Sequence, residues 1–251
     1  MSQDVDIAYM LDTNVLYDWL YAYIPQIKLN DPYYKNNPHK WNNFQKRLIG
    51  VKQFMEKNEN VIYIPDLVWS EFLGVMLHKD MDVSGDHHKL KLHFRLLLGV
   101  VQQMEAVIQN NPNIKTFSPQ SENFTSSPYA NAAELVTDLD LVDQRLFNQL
   151  KNIGPDKQKI KEKFLDGMDA VIVTYLDGLA AKHPEQRIML YSGDYRMFIG
   201  FPRVRTYWRR YGFAQNTGAI FSSFADIRTK NGTRHPASVL TEASVKMLGI
   251  L

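Results

Sequence analysis

Three short apolar runs, held apart by stretches with helical spacing, limit most strongly what this chain can fold into. They are DIAYML, ending at Asp12; NVIYI, closed by Pro65; and RIMLYS, ending before Gly193. Between the first two lie a helix expected over 14–23, broken by Pro25, and a second over 41–57. In the second, Phe44, Leu48, Val51, Phe54 and Met55 recur at helical intervals. LVWSEFLGVML continues as a helix after Pro65, and 87–109 follows with Leu90, Phe94, Leu97, Leu98 and Val101 on one side. A loop rich in Asn, Pro and Ser is expected over 110–128, then a helix over 130–150. FLDGMDAVIVTYLDGLAA has a β-branched centre, but its length and its continuation through Leu176 and Leu179 favour a buried helix. RVRTYW reads as a fourth strand, and the tail from Ala214 is poorly periodic. Strands alternating with helices imply an α/β fold on a parallel sheet with right-handed crossovers.

The 251 residues suffice for a sizeable core. With no cysteine, thiolate metal sites and disulfides are excluded, which fits a reducing compartment. A net charge of +2 names no partner by itself. Asp4 and Asp6 near the start argue against a signal peptide, and no apolar run approaches the roughly 20 residues of a membrane span. The expectation is a cytoplasmic protein without membrane partners.

Four acids sit at the entrances of otherwise apolar segments. Asp12 and Asp194 follow the first and third strands, Glu71 lies among Trp69, Phe72 and Leu73, and Asp169 opens AVIVTYL. In an open parallel sheet the strand ends after which Asp12 and Asp194 fall lie along one edge, where ligands bind. Each acid has a plainer role. Asp12 and Asp169 suit helix starts, Glu71 suits the solvated position of a half-buried helix, and Asp194 suits a turn. Together they argue otherwise, because carboxylates crowded on one edge repel unless cations compensate them. Hard oxygen donors suit Mg²⁺ or Mn²⁺, and the lack of Cys or His in these segments disfavours zinc.

The ordered set LDTNVL, IPDLVWSEF, DAVIVTYL and YSGDYRMF resembles the PIN-domain nucleases, the family that includes the ribonuclease toxins of bacterial toxin–antitoxin pairs. The matching positions are Asp12, Thr13 and Asn14 after the first strand, Glu71 after the second, and Asp169 before an apolar helix. Ser192, Asp194 and Phe198 match the last motif, with Ser192 where Thr is commoner. The resemblance implies a parallel sheet in an α/β/α sandwich and Mg²⁺- or Mn²⁺-dependent endoribonuclease activity of two-metal type. Asp12, Glu71, Asp169 and Asp194 would be the catalytic metal ligands, and Asn14 and Ser192 would orient them. Asp166, three residues before Asp169 on nearly the same helix face, competes with it as ligand; Asp169 is favoured because it abuts the apolar run. The chain is longer than compact toxins, with extra length expected as a helical insertion over about 79–163 within a nuclease domain of 1–213, and as an extension over 214–251 packed on it. RNA is the implied substrate, and the resemblance leaves room for an antitoxin-like inhibitor and for a homodimer.

Arg196, Arg209 and Arg210, interleaved with Tyr207, Trp208 and Tyr211, suit a single-stranded nucleic-acid groove, where guanidinium pairs with phosphate and rings stack on bases. Lys89 to Arg95 offers a second basic stripe. Two other readings stay open. One is a non-catalytic RNA-binding or scaffolding protein of the same fold. The other is a phosphatase like the haloacid dehalogenases, which also begins with an Asp after the first strand but needs a second acid where Asn14 stands.

Overall fold

The computed structural model describes residues 6–29, 32–81, 87–124, 167–193 and 216–221. DIAYML forms strand β1 (Asp6–Leu11), buried from Ala8 onward. A central strand covered on both faces has no alternation of apolar and polar residues, hence the unbroken apolar run. Helix α1 (Thr13–Tyr23) follows with Asp12 as its extended N-cap. It stops at Ile24, whose backbone leaves the helical region because the residue before a proline is disfavoured there.

Two single turns, α2 (Gln26–Leu29) and α3 (Pro32–Lys35), lead to α4 (Pro38–Lys57). This helix starts three residues before the expected Trp41. The Asn37 side chain accepts from the Lys40 amide, and Pro38 occupies the first turn, where its missing N–H costs nothing. Strand β2 (Ile62–Pro65) runs straight into α5 (Asp66–Met81), and α6 (His87–Asn110) precedes strand β3 (Ile114–Phe117). The remaining described elements are α7 (Gly167–Lys182), β4 (Gln186–Ser192) and β5 (Thr217–Phe221).

The five strands form one parallel sheet in the order β3-β2-β1-β4-β5. Two of them correct the sequence expectations. β3 lies within the stretch expected as loop, and β5 within the tail that showed no period. Both are edge strands, short and partly polar. Lys115 and Thr116 are exposed while Ile114 and Phe117 are buried, which is the solvated pattern an edge requires. The described parts of the 79–163 segment and of the 214–251 segment thus each supply an edge of the sheet. The helix expected over 130–150 and the strand RVRTYW lie outside the described residues.

Helices pack against both faces of this sheet. Tyr9 and Tyr191 share a face and meet Phe54 of α4 at ring-centroid distances of 5.0 and 4.6 Å. Tyr63 pairs in register with Met10, so it projects from the other face, where it meets His183 just after α7 at 5.8 Å. The chain steps outward from β1 through β2 to β3 and then returns to β4 on the far side of β1. Its direction therefore reverses between β1 and β4, and a crevice opens at their carboxyl ends. No helix among the described residues is long and apolar enough to cross a membrane.

After β3 the chain folds onto α7 through Phe124, whose ring lies 6.3 Å from that of Tyr175. A Cβ added at Gly178 would stand 2.6 Å from the Phe124 ring, far inside contact distance. Gly178→Ala is expected to destabilise the protein by about 1 kcal/mol even though Ala favours helix over Gly by a similar amount. In a Phe124→Ala background the same change should stabilise, and a double-mutant cycle by urea unfolding measures the coupling. Additive effects would show that the ring does not rest on Gly178.

Candidate active site

The β1–β4 ladder runs in register from Asp6 opposite Gln186 to Leu11 opposite Tyr191. The Asp12 amide continues it by donating to the Tyr191 carbonyl at 3.0 Å. That bond fixes Asp12 beside Ser192, 180 positions away in the chain. Ser192 Oγ donates to Asp12 Oδ2 at 2.5 Å, and Asn14 Nδ2 donates to the same oxygen at 3.2 Å. Oδ1 accepts the Thr13 amide at 2.7 Å. Asp12 is thus a helix cap and also a carboxylate fixed at the switch point of the sheet; the two roles coexist.

Asp12 is only 2% exposed. Burial pushes its carboxyl above the ordinary carboxylate range, because the charged form loses its water. The hydrogen bonds from Ser192, Asn14 and Thr13 pull the other way, and the nearby charge of Glu71 raises it further. Among the described residues none of the groups acting on Asp12 is a cation.

Glu71 is brought to this place by α5, which begins at the carboxyl end of β2 and carries Glu71 in its second turn. The Thr13 hydroxyl donates to Glu71 Oε2, tying the first turn of α1 to α5. Asp169 lies in the first turn of α7 and is 8% exposed. Because α7 leads back into β4, its N-terminal end lies at the carboxyl edge of the sheet. Tyr175 marks the level, its hydroxyl donating to Asp66 Oδ1 at 3.3 Å where β2 gives way to α5. Asp169, six residues earlier, stands about 9 Å nearer the N-terminal end of α7.

Among the described residues no three His, Asp or Glu side chains are grouped closely enough to hold a metal ion. The adjoining pair is Asp12 and Glu71, both hard oxygen donors. That pair fits Mg²⁺, which is usually held by one or two carboxylates and keeps several waters. Asp194, Asp166, Arg196, Arg209 and Arg210 lie outside the described residues, as do the side chains of the stripe from Lys89 to His93.

Two features were missed in the sequence. In the sequence Thr13 stands out only as part of LDTN, yet its hydroxyl links Glu71 to the Asp12 turn; a hydroxyl beside an acid at a strand end is the local signal for it. The other is Asp18, buried on α1, which pairs with Arg47 of α4 at 2.9 Å. Nothing local in the sequence joins residues 29 positions apart on different helices.

Burial, partly offset by Arg47, raises the Asp18 carboxyl from 3.8 to about 6. The folded state therefore holds this proton more tightly than the unfolded chain. The stability contributed is fully present below about pH 4 and is lost as pH rises to about 6, by at most about 3 kcal/mol. Asp18→Asn should flatten that decline, so its stability relative to the native protein should rise between pH 4 and pH 7. Urea unfolding in chelator across that range measures it, and parallel profiles would refute the assignment. Comparison with protein-family models, curated proteins and solved structures finds no match for this chain.

Proposed function

We propose that this protein is a divalent-metal-dependent endoribonuclease of PIN type. The observation that carries the reading is Asp12. It is a buried carboxylate at the switch point of a parallel sheet, beside Glu71, with no cation among the described groups that act on its charge. Keeping it ionised there is unfavourable, and a bound cation would reverse the balance. Asn14 and Ser192 both hold Oδ2 and so fix the carboxylate's orientation, while Thr13 does the same for Glu71. Asn14 acts as an amide donor toward Asp12, which weighs against phosphatase chemistry needing a second acid at that position.

Asp12 and Glu71 would hold Mg²⁺ or Mn²⁺, with Asp169 and Asp194 completing the set at the same edge as the motif resemblance suggests. When bound, such ions lower the pKa of a coordinated water and stabilise the leaving oxygen of a phosphodiester. The protein's own part is to fix the carboxylates through Ser192, Asn14 and Thr13 and to hold the strand on the crevice between β1 and β4. RNA as substrate, an antitoxin-like inhibitor and a toxin-like role are supported by the motif resemblance.

The purified chain should cleave generic single-stranded RNA in Mg²⁺ or Mn²⁺ and not in chelator, and either ion should raise its melting temperature. Asp12→Asn should abolish cleavage and the thermal shift while keeping the fold. Thr13→Val should leave the fold intact and weaken metal dependence by 10- to 100-fold, because Glu71 loses its tether. Full activity in Asp12→Asn would refute the reading.

A further inference from the structure

A cavity of about 150 Å³ opens between α1, α2 and α4 and reaches the site described above. Asn14, whose amide holds Asp12, and Gly193, next to Ser192, are among the residues that line it. Lys28 and Arg47 line it from two other elements. Both cations are held in place by aromatic faces. Lys28 Nζ stands 4.7 Å from the ring centre of Tyr21, and the Arg47 guanidinium 5.2 Å from that of Phe44. Arg47 is positioned further by Asp18 and remains 26% exposed.

Size and charge decide what would enter. At about 30 Å³ per water, the space holds roughly five waters. It is well below the roughly 300 Å³ at which small-molecule pockets begin, so a whole nucleotide or an organic cofactor is too large to be enclosed in it. A tetrahedral anion is not. With Asp18 ionised, the two cations still leave a net positive charge at a space that Asn14 and Gly193 also line. Arg offers a planar fork of donors and Lys a mobile point charge, a pairing suited to phosphate oxygens.

We propose that this cavity binds a backbone phosphate of single-stranded RNA beside the scissile bond, gripped by Lys28 and Arg47. The proposal rests on the nuclease reading for its ligand, and it adds a determinant of strand position on α2 and α4, outside every motif. Holding a neighbouring phosphate here fixes which phosphodiester lies at Asp12 without reading any base.

The test is fluorescence anisotropy of a labelled twelve-residue oligouridylate on the full chain carrying Asp12→Asn, across a series of KCl concentrations. Lys28→Gln should weaken binding several-fold and lower the salt slope by about 0.7, the single-strand value for one lost phosphate contact. Asp18→Asn combined with Arg47→Gln, which removes the ion pair without leaving a lone buried charge, should do the same. Lys52→Gln, on α4 but outside the cavity, should change neither. Unchanged slopes in both cavity variants, or an equal loss in Lys52→Gln, would overturn the proposal. The nuclease reading is judged apart, by cleavage with Asp12 intact. Slope losses without any metal-dependent cleavage would keep the phosphate site and discard the nuclease, whereas cleavage with unchanged slopes would do the reverse.

Discussion

The bond from Ser192 to Asp12 joins the two central strands at the point where the sheet changes direction. It exists because β1 and β4 are parallel and in register through Leu11 and Tyr191, and because both strands end at the same level. The other parts of the candidate site follow from that placement. Asp12 can cap α1 only if β1 stops there, and the Thr13 hydroxyl reaches Glu71 only if α1 starts there. A slip of one residue between β1 and β4 would turn every side chain of one strand to the opposite face and separate Asp12 from Ser192.

Asp12 at the cap of α1 and Asp18 in its middle are both buried and treated differently. Asp18 has Arg47 as a counter-ion, and its pair closes the packing of α1 on α4. Arg47 offsets part of what burial costs the charged form of Asp18. Among the described residues, Asp12 is held by three hydrogen-bond donors, all uncharged, and feels Glu71 as a like charge. Among the described residues, Asp12's surroundings orient the group and supply no cation to compensate its charge, as suits a residue that meets a metal ion.

Much of this was legible in the sequence, for identifiable reasons. β1, β2 and β4 are central and buried on both faces, so they appear as unbroken apolar runs. α4 keeps helical spacing through Phe44, Leu48, Val51, Phe54 and Met55, and all five are buried. β3 was hidden because half of its four residues face solvent, and β5 because a five-residue strand containing Gly218 has no period to detect. At the site, Asp12 and Glu71 could be named from their places after strands, and Asn14 and Ser192 through the motif resemblance; in the structure Asn14 and Ser192 hold Asp12 while Thr13 holds Glu71. The link from Lys28 and Arg47 to this edge could not be read, since it depends on how α2 and α4 pack against α1.

A divalent ion meeting the Asp12 carboxylate is the centre of the proposed chemistry. Its most direct test is anomalous scattering from crystals of the protein soaked in Mn²⁺, with Asp12→Asn crystals as the comparison. The expected result is a manganese peak within coordination distance, about 2 Å, of an Asp12 carboxylate oxygen, with Glu71 on the same ion or reached through its water, and no peak in the variant. Saturating Mn²⁺ with no peak at Asp12, or an equal peak in Asp12→Asn, would contradict it.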